Sequence, residues 1–240
     1  MGEVILVASG KGGTGKTVFT ANMGAVLAQK GFRVVMIDMD MGLRNLDIAM
    51  GLENKVIYDV SDVMTGMCRI KQALIRDKRF SGLYLMSSPQ HRDDGEITPL
   101  HMQVLCNKLR QRFDYIIIDA PSGIDDGTML AAAAADKAVI VTVPEYTAIR
   151  DADILDRMLL QMDKTRRCYV LNKVKAELIS SGFVPGLCEI TQMLRPELAG
   201  IIQYDDNIHI AANNGVPIVL KRDSYISQNF MNIAERVIRL

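Results

Sequence analysis

Short apolar runs alternate with helix-like segments along almost the whole chain. The runs are rich in β-branched residues and nearly continuous in apolar residues, which is typical of strands that are covered on both faces. The predicted strands are Val4–Ala8, Val34–Asp38, Leu83–Met86, Tyr115–Asp119, Ala138–Val143, Tyr169–Leu171 and Leu198–Ile202. The predicted helices between them are Lys16–Gln29, Thr98–Gln111, Gly127–Ala135, Ala148–Met162 and Ile190–Leu194. This alternation predicts an α/β fold with a mainly parallel, twisted sheet that is flanked by helices on both faces.

The composition limits the class of protein. The chain has 240 residues, of which 49% are apolar and 23% charged, as in a soluble globular protein with a good core. No linker-like stretch interrupts it, so we expect a single domain over residues 1–240. The formal net charge of zero gives no general electrostatic reason to bind nucleic acid or membrane. The first residues predict a strand and not a signal peptide, and no apolar stretch reaches the ~18 residues of a membrane span. We therefore expect a cytoplasmic protein.

The segment "SGKGGTGKT", at residues 9–17, lies between the first predicted strand and the first predicted helix. Gly10, Gly15, Lys16 and Thr17 complete the pattern G-x-x-x-x-G-K-[ST]. In such a loop, backbone N–H groups surround nucleotide phosphates, the lysine binds phosphate oxygens and the hydroxyl binds Mg²⁺. Since a strand precedes the motif and a helix, which we expect to be amphipathic, follows it, the sequence predicts a P-loop NTPase fold. The residues expected to hold the nucleotide here are Gly10, Lys11, Gly12, Gly13, Thr14, Gly15, Lys16, Thr17 and Val18.

Carboxylates end two of the predicted strands. The stretch "YIIIDAP" places Asp119 at the end of one apolar run, and "VVMIDMDMG" places Asp38 and Asp40 at the end of another. Phosphoryl transfer needs carboxylates that organise Mg²⁺ and its waters beside the phosphates. Because Asp38 and Asp40 are two residues apart, we expect their side chains to point the same way, toward one phosphate edge. The sequence therefore predicts a Mg²⁺-dependent nucleotide hydrolase.

Lys11 is not required by the P-loop pattern. With this lysine, "GKGGTGKT" resembles the deviant Walker A box of the MinD/ParA family of ATPases, which is marked by a lysine directly after the first glycine. Four further stretches resemble the MinD group within that family, in the right order and at closely matching spacing: "IDMDMGLRNLDIAMG", "DYIIIDAPSGI", "VPEYTAIRDAD" and "VLNKVKAELI". The similarity extends from about Val4 to Leu220.

The resemblance implies that Lys11 acts on a second copy of the chain. In the family, this lysine reaches across a dimer interface to the nucleotide of the other subunit, so that it resembles an arginine finger supplied in trans. We therefore expect ATP to bridge two subunits in a homodimer, and a single subunit to hydrolyse ATP slowly. Lys11 and Lys16 are then expected to be catalytic together with Asp40, which resembles the aspartate that positions the attacking water.

The same resemblance implies the metal ligands and a contact to the base. Thr17 is expected to bind Mg²⁺ directly, with Asp38 and Asp119 in the outer shell of the metal. Asn172, placed after the predicted strand Tyr169–Leu171, matches the asparagine that contacts adenine. The expected cofactors are ATP and Mg²⁺.

The function that the resemblance implies is a nucleotide-driven dimerisation switch in the spatial regulation of cell division, at septum site placement. The partners in the family are a division inhibitor (MinC-like) and an activator (MinE-like) that stimulates ATP turnover. Arg44, Asp151 and Asp153 match the positions that form the partner surface. The sequence itself does not identify the partners.

Two features depart from the family pattern. Gln203 stands where relatives usually have proline near the adenine, so the contacts to the base are left open. MinD proteins usually finish with a basic amphipathic helix that docks on anionic lipid, whereas this sequence finishes with "SYISQNFMNIAERVIRL". Four apolar residues share one helical face here without a lysine-rich polar face, which favours a helix packed on the sheet over a membrane-binding one. These residues are Ile226, Phe230, Ile233 and Val237. Reversible binding at the inner face of the plasma membrane is left open.

Four alternatives stand beside this interpretation. One is a regulator that binds nucleotide without hydrolysing it, which the presence of Lys11, Lys16, Asp40 and Asp119 disfavours. A ParA-type partition ATPase would bind DNA non-specifically, which needs a basic surface that the neutral charge does not indicate. A flagellar-placement relative usually has an N-terminal extension, whereas the first predicted strand starts at Val4. An electron-transfer or cluster-assembly relative needs paired cysteines, but Cys68, Cys106, Cys168 and Cys188 form no C-x-x-C pair.

Overall fold

The computed structural model describes residues 1–89, 97–221 and 224–240. Within them, one sheet has eight strands in the order β3-β4-β2-β5-β1-β6-β7-β8. The strands are β1 (Glu3–Ser9), β2 (Val34–Asp38), β3 (Ile75–Arg76), β4 (Leu83–Met86), β5 (Tyr115–Ser122), β6 (Lys137–Thr142), β7 (Arg167–Val174) and β8 (Glu197–Gln203). Neighbouring strands are parallel except for the short edge strand β3, which is antiparallel to β4.

The helices connect these strands in chain order. They are α1 (Lys16–Gln29), α2 (Leu46–Ala49), α3 (Val60–Met64), α4 (Ile70–Ala73), α5 (Pro99–Leu109), α6 (Asp126–Ala132), α7 (Tyr146–Gln161), α8 (Ala176–Ser180), α9 (Leu187–Met193), α10 (Asp206–Asn213) and α11 (Tyr225–Arg239). Two short 3₁₀ helices, Glu53–Lys55 and Ile218–Leu220, complete the regular structure of the described residues.

Helices cover both faces of the sheet. One face packs against α1, α2 and α11, in an apolar cluster that includes Val7 of β1 and Phe19 of α1. The opposite face packs against α5, α6 and α7, in a second cluster that includes Leu6 and Leu105. Side chains of β1 alternate between the two clusters, because successive residues of a strand point to opposite faces. The predicted α/β fold, with a mainly parallel sheet between two helical layers, is confirmed.

Helix α1 has the predicted bounds, but it is not amphipathic. Every residue from Phe19 to Ala28 is buried. The helix contacts the sheet on one side and α2 and α11 on the others. A helix that is covered all round shows no polar stripe in its sequence, so the expectation of an amphipathic helix is wrong here.

The other differences from the prediction concern short elements and the ends of strands and helices, where the helices α5, α6, α7 and α9 differ from their predicted bounds by one to three residues at each end. β3, α2, α3, α4, α8 and α10 were not predicted, because these short segments have neither the continuous apolar run of the buried strands nor enough turns for a clear helical period. β5 continues past Asp119 to Ser122, and β7 continues to Val174. Asn172 therefore lies within β7, and not after it as predicted.

Helix α11 packs on the sheet beside β8 and α1. Its apolar face is buried, and the ring of Phe230 lies 6.1 Å from that of Phe19 between centroids. The buried residues of this face include Ile226, Phe230, Ile233 and Val237. The predicted packing of this segment on the sheet is confirmed. Among the helices of the described residues, none has the length and apolar character needed to cross a bilayer.

Candidate nucleotide-binding site

The glycine-rich loop joins the carboxyl end of β1 to the start of α1, near the middle of the sheet. A cavity of about 500 Å³ lies over this loop. Its walls are formed by loop residues 12–18, by Asp40, and by residues of α2, β7, β8 and α10. Crevices at the carboxyl ends of parallel strands are the usual ligand sites of α/β sheets, and this volume suits a nucleotide.

Three glycines allow the loop its conformation. The backbone φ is 78° at Gly13 and 88° at Gly15, values that residues with a Cβ rarely adopt. A Cβ at Gly15 would also lie 2.5 Å from Nδ2 of Asn172. Gly10 is restricted for another reason, because a Cβ there would lie 2.5 Å from the backbone carbonyl of Asp151 in α7. The loop thus curls tightly while it packs against both β7 and α7.

Lys16 and Asp119 form a buried ion pair beside the cavity. Nζ of Lys16 lies 3.0 Å from Oδ1 of Asp119, and the two side chains are 5% and 0% exposed. Asp119 also accepts hydrogen bonds from the hydroxyls of Thr17, at 2.7 Å, and Thr20, at 2.8 Å. The predicted phosphate-binding lysine, the predicted Mg²⁺ ligand and a predicted metal-organising carboxylate are therefore in contact. Hydroxyl and carboxylate oxygens are ligands that Mg²⁺ prefers, so these residues fit that metal.

Asp38 lies opposite Asp119 in the register of β2 and β5 and is fully buried. Burial, and secondarily the charge of Asp119, raise the pKa of Asp38 to about 7, although hydrogen bonds from backbone N–H groups act in the other direction. These N–H groups belong to Leu46, at 3.1 Å, and Asp40, at 2.9 Å. Asp38 therefore holds the loop that follows β2.

Asp40 has a different position from Asp38. It is partly exposed and lines the cavity, whereas Asp38 is bonded to its own loop. The strand β2 ends at Asp38, so the alternation of side chains along a strand does not extend to Asp40. The expectation that both carboxylates point the same way rests on that alternation, and it stays a prediction.

Lys11 lies outside the main cavity. Its Nζ is 2.7 Å from Oε2 of Glu145 and 3.3 Å from Oγ1 of Thr147, and its side chain is 41% exposed. Lys11 and Glu145 line a second cavity, of about 300 Å³, beside the loop. Two lysines of one loop thus have opposite environments, because Lys16 is buried beside the main cavity and Lys11 is at the surface.

Asn172 and Lys173 hold the loop from the side of β7. Nδ2 of Asn172 donates to the carbonyl of Thr14 at 2.8 Å, and Nζ of Lys173 donates to that of Gly13 at 2.7 Å. Lys173 has a φ of 54°, in the left-handed region that lysine rarely adopts. Asn172 also lines the cavity. Sequence reasoning did not single out Lys173, because neither its φ nor its distant partner leaves a signal in the sequence.

Part of the cavity wall is apolar. Ile48 of α2 and Ile208 of α10 supply apolar wall, and Gln203 lines the cavity at the end of β8. Beside Gln203, the Nζ of Lys175 lies 4.2 Å from the centre of the Tyr204 ring. Apolar walls with a few polar groups are typical of sites that bind small molecules.

The predicted partner-surface residues are only partly exposed. Arg44 has a φ of 48°, pairs with Asp47 at 2.5 Å and donates to the carbonyl of Glu53 at 2.9 Å. Its side chain is 15% exposed. Asp151 and Asp153 lie on α7, with side chains that are 29% and 17% exposed. Arg44 is thus held by its own loop, while the two aspartates lie in the first half of α7, the helix that contacts Gly10.

Comparison with known proteins shows the family. Residues 5–218 match the model of the CobQ/CobB/MinD/ParA nucleotide binding domain, and the chain belongs to this family. Within it, the similarity is to MinD. The chain is 44% identical over 240 residues to the septum site-determining protein MinD of Bacillus subtilis. The alignment covers 99% of this chain and 90% of that protein.

Solved structures of MinD resemble the chain over its whole length. The MinC:MinD cell division protein complex of Aquifex aeolicus gives a TM-score of 0.90 at 38% identity, with 99% of this chain and 96% of that chain covered. The septum site-determining protein MinD of Pyrococcus horikoshii, complexed with Mg-ADP, has a TM-score of 0.87 and is 27% identical in sequence. The match covers 99% of this chain and 96% of that chain. The predicted P-loop NTPase fold and the predicted resemblance to the MinD group are confirmed.

Proposed function

We propose that the chain is a MinD-like ATPase that hydrolyses ATP to ADP and phosphate and that couples ATP binding to dimerisation in the placement of the division septum. The observation that carries the proposal is the contrast between Lys16 and Lys11. Lys16 is buried beside the cavity, while Lys11 is outside it and bonded to Glu145. A lysine that does not serve the nucleotide of its own chain is available to a nucleotide held by a second copy.

The residues around the cavity have distinct roles in this proposal. The loop N–H groups and Lys16 bind the phosphates, and Asp40 holds the attacking water. Thr17 would bind Mg²⁺ directly, with Asp38 and Asp119 in the outer shell. Bound Mg²⁺ supplies positive charge that offsets the charge of the phosphates. Asn172 would contact the adenine while its amide supports the loop.

Dimerisation would complete the site. In an ATP-bridged homodimer, Lys11 of each chain leaves Glu145 and neutralises charge at the nucleotide of the other chain. Removal of one such contact typically lowers the rate by about 10²–10³-fold. A single chain therefore hydrolyses ATP slowly, and turnover rises with dimerisation and with an activating partner.

The proposed partners follow from the relatives. One of the similar structures is a MinC:MinD complex, which supports a MinC-like division inhibitor as a partner of this chain. A MinE-like activator is proposed on the resemblance alone, and Arg44, Asp151 and Asp153 are proposed to contribute to the partner surface. We place the protein in the cytoplasm. Helix α11 has its apolar face covered by the sheet, so it would have to leave the sheet to enter a lipid surface.

Sedimentation with ATP and Mg²⁺ tests the proposal. We expect the wild-type chain to shift from monomer to dimer with ATP and not with ADP. Lys11→Ala should bind nucleotide as the wild type does, but should lose both the dimer and the stimulated turnover. Glu145→Gln is the matched control, because it releases Lys11 from its charged partner but keeps the lysine. This variant should still dimerise.

Two results would contradict the proposal. One is an unchanged dimer and unchanged turnover in Lys11→Ala, which would remove the role of this lysine in trans. The other is a wild-type chain that binds ATP but stays monomeric at all concentrations, which would make it a P-loop protein that acts alone.

A further inference from the structure

Three buried hydroxyl groups lack a hydrogen-bond partner in the part of the chain that the structure describes. They belong to Ser9, Thr14 and Tyr169. These residues are 1%, 2% and 1% exposed. A buried hydroxyl without a partner destabilises a folded protein, since it has lost its hydrogen bonds to water and gained none. Such groups are uncommon, and each one needs an explanation.

The three hydroxyls differ in location. Ser9 and Thr14 both line the main cavity over the glycine-rich loop. Tyr169 lies in the apolar cluster on the opposite face of the sheet, with residues of α5, α6 and α7. Two of these unsatisfied groups therefore lie at the candidate nucleotide site, and the third is in the core, away from it.

The position of Ser9 in the sheet brings it close to the ion pair of Lys16 and Asp119. Ser9 ends β1 two residues after Val7, which packs on the α1 face of the sheet. Ala8 packs on the opposite face, which places Ser9 on the α1 face, although the pairing of β1 with β5 is irregular between Val7 and Ser9. Val7 lies opposite Asp119 in the register of β1 and β5. Ser9 therefore lies two residues further along β1 than the residue opposite Asp119. Its side chain is on the α1 face of the sheet, where Asp119 contacts Lys16.

The groups around Ser9 and Thr14 indicate what kind of partner is missing. Lys16 and the loop N–H groups are hydrogen-bond donors, so they cannot accept from a hydroxyl. The carboxylate of Asp119 already accepts from Lys16, Thr17 and Thr20. Since neither hydroxyl has a partner among the described residues, its acceptor has to come from outside the chain. A phosphate oxygen is such an acceptor, and a glycine-rich loop before a helix is suited to binding it.

We infer that the side-chain hydroxyls of Ser9 and Thr14 donate hydrogen bonds to phosphate oxygens of the bound nucleotide. The inference rests on the proposed function, because it assumes that the cavity binds a nucleotide. It adds Ser9 to the site and gives the side chain of Thr14 a role beside that of its backbone. The two hydroxyls destabilise the ligand-free chain, and they are satisfied when the nucleotide binds.

Variants that remove one hydroxyl at a time test this inference. Ser9→Ala and Thr14→Val delete the two hydroxyls at the cavity, and Tyr169→Phe deletes the one in the core as a matched control. We expect all three ligand-free variants to be at least as thermostable as the wild type. The dissociation constant of Mg²⁺-ADP, measured by calorimetry, should rise about tenfold in Ser9→Ala and in Thr14→Val. It should stay unchanged in Tyr169→Phe, and Thr14→Ser should restore the affinity.

The outcomes separate this inference from the proposed function. Wild-type affinity for Mg²⁺-ADP in Ser9→Ala and Thr14→Val would overturn the inference, since water and not phosphate would then satisfy the hydroxyls. A ligand-free Ser9→Ala chain that melts below the wild type would also overturn it, because the hydroxyl would then have a partner within the protein. A wild-type chain that does not bind Mg²⁺-ADP would contradict the proposed function itself.

Discussion

At the scale of single residues, the chemistry of the site depends on how each charge is partnered. Lys16 neutralises Asp119 in a buried pair, whereas the pair of Lys11 and Glu145 is exposed. A buried charge that loses its partner is costly, while an exposed pair contributes little because water and salt screen it. The two lysines of the loop should therefore differ in their effect on stability as well as in their role.

Replacement of Lys16 tests this difference. We expect Lys16→Ala to lower the free energy of unfolding of the ligand-free chain by about 3 kcal/mol, because Asp119 stays buried without its counter-charge. Lys11→Ala is the control and should change the free energy by less than about 1 kcal/mol. Urea denaturation without nucleotide measures both. If the Lys16→Ala/Asp119→Asn double variant is as unstable as the single variant, the unpaired charge is not the cause.

At the scale of elements, ion pairs and apolar faces fix how helices and strands meet. Asp136 precedes β6 and accepts hydrogen bonds from Arg110, which follows α5, and from the backbone N–H of Val4 in β1. Burial tends to raise the pKa of Asp136, but hydrogen bonds from Arg110 and Val4 outweigh it and hold the pKa below its usual value. This carboxylate therefore stabilises the folded chain most where it is ionised.

The lowered pKa of Asp136 predicts a pH-dependent effect of Asp136→Asn. A carboxyl group with a lowered pKa contributes stability above the pKa of the unfolded chain and loses it as the pH falls through the folded value. We expect Asp136→Asn to cost about 1–3 kcal/mol at pH 7 and progressively less below about pH 4. Urea denaturation at several pH values measures this. Glu235→Gln, which removes the exposed pair with Lys30, is the control and should have a smaller effect. A cost that does not vary with pH would contradict the assignment.

The apolar face of α11 gives a second prediction at this scale. Phe230 is buried against the sheet and α1, whereas Asn232 on the same helix is exposed. We expect Phe230→Ala to lower the free energy of unfolding by about 3–5 kcal/mol and Asn232→Ala to change it little. Chemical denaturation of the two variants measures the difference. Equal and small effects would show that α11 is not part of the folded core in solution.

At the scale of the whole molecule, the sequence predicted the layers of the fold but not all of the contacts within the site. Buried parallel strands such as β2 and β4 leave continuous apolar runs, so their bounds were predicted correctly. The glycine-rich loop was predicted from a local pattern of glycine, lysine and threonine. In contrast, the backbone N–H of Leu46 donates a hydrogen bond to the carboxylate of Asp38, and no local pattern shows this contact.

Contacts between distant segments were the hardest to predict. The support that Asn172 and Lys173 give to the loop joins segments that are far apart in the chain. The same holds for Lys11 and Glu145. Their partners are determined by the order of strands in the sheet, and a single sequence does not reveal which side chains that order brings together. Helix α1 was misjudged for a similar reason, since α11, which covers it, comes from the end of the chain.

The central place of β1 in the sheet has a consequence for synthesis. The loop that follows β1 leaves the ribosome early, but both neighbours of β1, which are β5 and β6, emerge much later. A nascent chain that stops before Asp119 already holds every glycine of the loop, yet Lys16 has no counter-charge and β1 has no strand to pair with. The ion pair of Lys16 and both strand pairings of β1 can therefore form only when translation has passed β6, well beyond the motif itself.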